Sequence, residues 1–338
     1  MPLRFLLFAF LLSVTTAQAA KLVRDDVFGA IRGLKAEATA PAAFGGEFEP
    51  RRGENWILIG GTNVVEMQFD NSFEALATLS WPEKGLKFRN LAWQADTAYR
   101  QQRPLYFYDD EFSDKAKGST PDEREKVEAG TVFVRFGKME SLDGLGKKAD
   151  FLTAYAGFLE RLKQVTPRVV LVTPTPFFET GPAVALAKER NEVLAQYVDG
   201  IQKLASEHEL LVIDLFGAIP ANAELSTNGV HLSESGQLAV SKAMIEQLGG
   251  QVQAGALASA ETKKLQETIT EKNFLWLQYY RPTNWAFLYG DRQNVPSSRD
   301  HVDGEKRWFP FELEKALSMV GELEAEIHSQ AKAVTTQP

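Results

Sequence analysis

The stretch Trp56 to Asn63 (WILIGGTN) constrains the fold of this chain more than any other. Apolar residues run into two glycines, a threonine and an asparagine, and the VVEMQFDNSFEALATL that follows has helical spacing. That order predicts a buried strand, a tight glycine turn and a helix. In an open parallel sheet, ligands bind in the crevice beyond the carboxyl ends of the strands. Thr62 would stand there, near the amino end of a helix whose free N–H groups can hold an anion. A strand–turn–helix without chemistry fits the same residues equally simply.

Further along, Leu86–Leu91 (LKFRNL), Thr131–Phe136 (TVFVRF), Arg168–Thr173 (RVVLVT) and Leu210–Leu215 (LLVIDL) read as strands. Between and after them, Lys147–Gln164, Ala183–Glu207 and a segment beginning near Ser233 read as helices. Strands alternating with helices predict an α/β fold with a mostly parallel sheet. The long polar stretch from Ala98 to Gly130 carries Arg103, Tyr106 and Tyr108. Loops of this length are often functional, so these residues either rim a binding site or pack the loop down. The segment KLVRDDVFGAIRGL near the amino end reads as a short helix.

The first 19 residues have a positive start at Arg4, an apolar core (FLLFAFLL) and a small-residue site, Ala17-Gln18-Ala19. This pattern predicts a signal peptide and an exported, periplasmic or extracellular protein. The apolar core is too short to span a bilayer, so no stable membrane insertion of the mature chain is expected. The domains expected are residues 1–19 as leader, 20–53 as an arm, 54–249 as the α/β domain and 250–338 as a C-terminal appendage. The chain has no cysteine, which excludes disulfides and a lipid-modified cysteine. A net charge of −8, with no basic stripe, argues against nucleic acid as a partner. No cofactor is expected, and no HExxH or cysteine-pair metal motif is present.

A second informative run is Leu225–Gly236 (LSTNGVHLSESG), with a turn signal at Asn228-Gly229 and His231 just before a helix. Imidazole changes charge near neutral pH, so a histidine placed after the last strand suits proton transfer. A structural histidine is the plainer reading.

With these residues in view, the chain resembles the SGNH/GDSL hydrolase superfamily, whose esterases and acetylhydrolases are built on a flavodoxin-like, three-layer fold. The resemblance spans about Trp56 to Gly249. The first block of that family, Gly-Asp-Ser, corresponds to Gly60, Gly61 and Thr62. The second supplies an oxyanion-binding glycine, and Ala92 or Ala95 stands near its place. The third, Gly-x-Asn, reads Gly137-Lys138-Met139 here. The last, Asp-x-x-His, reads Asn228-Gly229-Val230-His231. The whole pattern also resembles a subfamily of secreted bacterial proteins with threonine and asparagine at the usual serine and aspartate positions.

What the resemblance implies is an extracellular acyl or acetyl esterase acting on a carbohydrate. Thr62 would be the nucleophile, His231 the base, Asn228 the residue that orients the ring, and the Gly61 and Ala92 N–H groups the oxyanion donors. Asp96 and Glu140, after the second and third strands, are alternative sources of the carboxylate that Asn228 lacks. The rival reading is a catalytically silent domain of the same fold that binds a glycan or another exported protein. In the appendage, Trp276, Tyr279, Tyr280, Trp285 and Tyr289 form either a platform over the site or a buried seam. Arg103, Arg281, Asn284 and Trp285 are the candidate substrate contacts. Phe311–Ser329 reads as a final helix.

Overall fold

The computed structural model describes residues 27–33, 47–101, 127–253, 255–283, 285–288 and 291–336. The expected leader, the greater part of the expected arm, and Arg103, Tyr106, Tyr108, Asn284 and Tyr289 lie outside these residues. Trp285 is described in its backbone alone.

In chain order the strands are β1 (Ile31–Arg32), β2 (Asn55–Gly60), β3 (Lys87–Asn90), β4 (Val127–Glu128), β5 (Thr131–Arg135), β6 (Val169–Val172) and β7 (Leu211–Ile213). The α-helices are α1 (Thr62–Val65), α2 (Ser72–Ser80), α3 (Lys148–Lys163), α4 (Ala187–Glu207), α5 (Leu215–Ala218), α6 (Glu234–Gln247), α7 (Ala260–Tyr280), α8 (Trp285–Leu288) and α9 (Trp308–Thr335). Five strands form one sheet in the order β3-β2-β5-β6-β7, and every pairing is parallel. This is the flavodoxin-like order, whose switch point lies between β2 and β5.

Strands covered on both faces read as unbroken apolar runs. Val169–Val172 is the plainest case, with every residue buried. One core lies on the α3 and α4 side, around Ile57, Val132, Tyr155 and Tyr197. The other lies on the α2 and α6 side, around Trp56, Phe73, Phe133 and Val240. Trp56 is fully buried there, with the Phe133 and Phe88 rings 5.1 and 5.3 Å away and Phe73 at 6.1 Å.

Two regions differ from the sequence expectation. The helix expected after Thr62 is broken: α1 runs into a 3₁₀ turn at Glu66–Gln68, and α2 starts afresh at Ser72. Asp70 causes the restart, since its Oδ1 accepts the Ser72 N–H at 3.0 Å in the manner of a cap. Near the amino end, a helix is not what forms over the described part of the segment. Val27–Ala30 is a 3₁₀ turn, and Ile31–Arg32 pairs in parallel with Val127–Glu128.

The C-terminal helices α7 and α9 pack against each other and on α2 at the β3 edge of the sheet. Trp276 Nε1 donates to the Asn90 carbonyl at 3.1 Å, and the Trp276 and Tyr280 rings stack 5.8 Å apart. Trp276, Tyr279 and Tyr280 are therefore the buried seam, not a platform over the site. Two buried ion pairs join the layers: Arg89–Glu324 at 2.5 Å and Lys272–Glu74 at 2.7 Å. An edge strand presents unpaired backbone groups, and an appendage that covers it removes that liability. Among the described residues, no helix is long and apolar enough to cross a membrane.

Candidate active site

A cavity of about 500 Å³ opens at the carboxyl ends of β2 and β5, where the strand order reverses. Its walls come from residues 61–64, 94–97 and 135–140, with Pro174, Val230 and His231. Close backbone approach builds it. Gly60 is registered with Arg135, and a Cβ at Gly60 would lie 2.7 Å from the Arg135 carbonyl oxygen and 2.5 Å from Val64 Cγ2. Only glycine fits there.

Thr62 and His231 line this cavity together, although 169 positions separate them in the chain. Asn63 ties the two loops, its Nδ2 donating to the Val230 carbonyl at 3.2 Å. Asn228 does not touch the imidazole. Its Oδ1 accepts the backbone N–H groups of Val230 at 3.0 Å and His231 at 2.9 Å, so it shapes the loop. Gly229, at φ +91°, passes the 180 region where a Cβ would meet the Thr180 carbonyl oxygen at 2.6 Å.

The ring of His231 is oriented by a residue that sequence reasoning missed. Glu66 Oε1 stands 2.6 Å from His231 Nδ1. A carboxylate there accepts the Nδ1–H hydrogen bond and leaves Nε2 as the basic nitrogen. Glu66 lies one helical turn beyond Thr62, and that i,i+4 spacing is the signal that points to it. Asp96 and Glu140 do not fill this role. Both line the cavity and both are buried. Glu140 binds two backbone N–H groups, Ala98 at 2.9 Å and Gly137 at 2.9 Å, so it clamps two loops together. Burial pushes its carboxyl up from the ordinary range, against those hydrogen bonds.

Of the expected oxyanion donors, Gly61 lines the cavity. The Ala92 N–H instead donates to Asn90 Oδ1 at 3.0 Å, which withdraws it from that role. Ala95 is the residue of this loop on the cavity wall, in the left-handed region at φ 67° that favours glycine. Met139, in place of the family asparagine, is largely exposed on the rim. Arg281, at the end of α7, lies over the Trp93 ring at 4.0 Å and donates to Gln94 Oε1. It braces the cavity wall from outside, since Gln94 is a lining residue and Arg281 is not. Ser141 is buried, with Oγ donating to the Lys138 carbonyl at 2.7 Å.

Two cations sit in the cavity wall. Arg135 donates through Nη2 to Thr175 Oγ1 at 3.1 Å, while its buried Nη1 has no hydrogen-bond partner among the described residues. Burial lowers its pKa to about 10, and the Glu66 carboxylate opposes the shift. Lys138 Nζ donates to Pro176 O at 2.9 Å, Val230 O at 3.1 Å and Thr175 Oγ1 at 3.3 Å. Burial, helped by the neighbouring Arg135 charge, holds its pKa well below the ordinary 10.5.

The Lys138 shift has a sign that can be tested. Above the depressed folded-state pKa and up to 10.5, the unfolded chain binds more protons than the folded one at this site. Stability from Lys138 therefore rises with pH through that window. Urea unfolding of wild type and Lys138→Met across alkaline pH is expected to show a shallower rise in the variant. Equal slopes would mean that the lysine titrates as it does in water.

The fold and the cavity at its switch point define a flavodoxin-like α/β protein with a histidine–carboxylate pair at a cavity that Thr62 also lines. Residues 90–239 match the GDSL-like Lipase/Acylhydrolase family. His231 lies inside the match, and Thr62 and Glu66 precede it. No curated protein matches the chain. Among solved structures, a catalytic mutant of an acetylxylan esterase from Geobacillus stearothermophilus is similar at 17% identity and a TM-score of 0.43, covering 60% of this chain and 98% of that one. An acetyl xylan esterase, AlAXEase, is similar at 15% identity and a TM-score of 0.40, covering 56% of this chain and 98% of that one. A gut microbial diltiazem-metabolizing enzyme is similar at 14% identity and a TM-score of 0.44, covering 62% of this chain and 48% of that one.

Proposed function

We propose that this protein is an exported esterase that removes an acyl group, most simply acetyl, from a carbohydrate. The observation that carries the reading is the 2.6 Å His231–Glu66 pair at a cavity also lined by Thr62. The match to an acylhydrolase family supports it, and the leader-like first 19 residues support export. Thr62 Oγ attacks the acyl carbon as its proton passes to His231 Nε2, and Glu66 stabilises the imidazolium. The tetrahedral intermediate collapses as His231 returns the proton to the leaving sugar oxygen. Water, deprotonated by His231, then frees the acid from the acyl-threonine. Gly61 offers a backbone N–H to the oxyanion, and the Arg135 charge beside the cavity favours that negative charge through its field.

The test is turnover of acetylated oligosaccharides and of an activated acetyl ester by wild type, Thr62→Ala and His231→Ala at matched folded concentration. Both variants are expected to lose more than about ten-thousand-fold, because groups that act as one unit fail together. Unchanged activity in Thr62→Ala would exclude this nucleophile. The threonine methyl crowds attack, and Met139 offers no amide, so a silent binding module is the second reading. Glycan binding by wild type with no turnover on any acyl substrate would establish it.

A further inference from the structure

A second cleft, of about 660 Å³, is lined by Glu66, whose partner His231 lines the first. It runs between the turn that links α1 to α2, the amino end of α6, and the appendage. Its lining holds the carboxylates Glu66, Asp70 and Glu234, the amides Asn71, Gln237 and Gln266, the hydroxyls of Ser233 and Ser235, and no lysine or arginine. Phe69 stands in this wall 62% exposed, against the ordinary fate of a phenylalanine. Gln237 is only 6% exposed, and its Oε1 is buried with no hydrogen-bond partner among the described residues. A buried acceptor left unpaired is costly unless a donor reaches it.

We propose that this cleft is a subsite for a neutral sugar chain, with one ring lying on Phe69 and its hydroxyls donating to the acceptors that line the cleft. The inference rests on the esterase reading for the role of the subsite, not for its chemistry. An aromatic face beside convergent polar groups suits a sugar, which presents C–H groups on one face and hydroxyls at its edge. The hydroxyl donors match a lining rich in acceptors. The Asp70 and Glu234 carboxylates, with no lysine or arginine in the lining, repel an acidic sugar. The subsite is also held at a fixed distance from the chemistry. The Glu66 carbonyl accepts the N–H groups of Phe69 and Asp70, both at 3.0 Å, so the platform and the partner of His231 share one turn.

The appendage supplies part of this wall. Gln266 Nε2 donates to Asn71 Oδ1 at 2.9 Å, and Asn71 Nδ2 donates to the Gln266 carbonyl at 3.0 Å. Leu257 lines the same cleft. The covering of the sheet edge and the wall of this cleft thus share one helix, α7.

Calorimetric titration of the full chain with xylohexaose, cellohexaose and a hexa-uronate tests the proposal without any ester bond. At least one neutral chain is expected to bind, and the uronate at least about tenfold more weakly at low salt. Phe69→Ala is expected to weaken neutral binding about tenfold, and Phe69→Trp to preserve it. Because Phe69 is exposed, both variants should fold, which circular dichroism checks. The proposal is overturned if neither neutral chain binds wild type, if the uronate binds as well, or if Phe69→Ala binds like wild type. Failure of ester hydrolysis would leave all three readouts standing, so the two readings fail separately.

Discussion

Glu66→Gln is expected to lower kcat on an acetyl ester by about ten-thousand-fold, with a small change in KM. Glutamine preserves the volume of the side chain but removes its charge. Its amide can present an N–H to His231 Nδ1, which turns the ring to the wrong tautomer and leaves Nε2 unable to accept the Thr62 proton. Removing the carboxylate also removes the charge that stabilises the imidazolium. The 2.6 Å contact makes this the most sensitive position outside Thr62 and His231 themselves. Stopped assays on wild type and Glu66→Gln, alongside Asn228→Ala, separate the carboxylate from the residue at the family's usual position. Asn228→Ala acts only on loop geometry, so its loss should be much the smaller. If Asn228→Ala costs as much as Glu66→Gln, Glu66 is not the catalytic partner of His231.

The largest stability effect is expected at Lys272. Its side chain is 0% exposed and pairs with Glu74 at 2.7 Å, with Asn273 Oδ1 at 2.6 Å as a further acceptor. Burial pushes the Glu74 carboxyl up and the Lys272 amine down, even though each charge supports the other. The pair therefore sits where desolvation outweighs attraction. Breaking such a pair from one side leaves a charge buried and alone, at about 3–5 kcal/mol. Lys272→Ala should lose this much in urea unfolding. The double change of Lys272→Met with Glu74→Leu should recover most of it, since apolar replacement of a buried pair is often neutral or stabilising. A loss in Lys272→Ala under about 1 kcal/mol would show that water or Glu324 rearrangement relieves the stranded carboxylate.

Much of the fold was legible in the sequence because the central strands bury both faces. The apolar runs at Trp56, Thr131 and Arg168 coincide with β2, β5 and β6 to within about two residues. The helices α3 and α6 show the same agreement, α6 being capped by Ser233, whose side chain accepts the Gly236 N–H, while α4 begins at Ala187, after a 3₁₀ turn at Val184–Leu186. The break after α1 was hidden, because a helical pattern continues through Glu66 to Leu79 and only the Asp70 cap interrupts it. Burial of the appendage aromatics was likewise undecided in the sequence. A tryptophan at 276 fits a platform or a seam until the Asn90 carbonyl is seen to take its N–H.

The candidate site divides along the same line. The sequence by itself marked Thr62, by its glycine turn after a strand, and His231, by its loop before a helix. Both are local patterns, set by backbone geometry within a few residues. It gave the orienting role to Asn228, with Asp96 or Glu140 as alternative carboxylates, because those positions stand at strand ends or in the block that resembles the family's. Only the tertiary structure chose Glu66, and it also turned Asn228 to the backbone, Glu140 to two loop amides and Ala92 to Asn90. The Glu66–His231 and Glu140–Ala98 pairings join segments far apart in the chain, whereas those of Asn228 with Val230 and His231, Glu140 with Gly137 and Ala92 with Asn90 are local turns. A hydrogen bond selects its partner by distance and angle within a few tenths of an ångström, and chain order carries no such information until the sheet has folded.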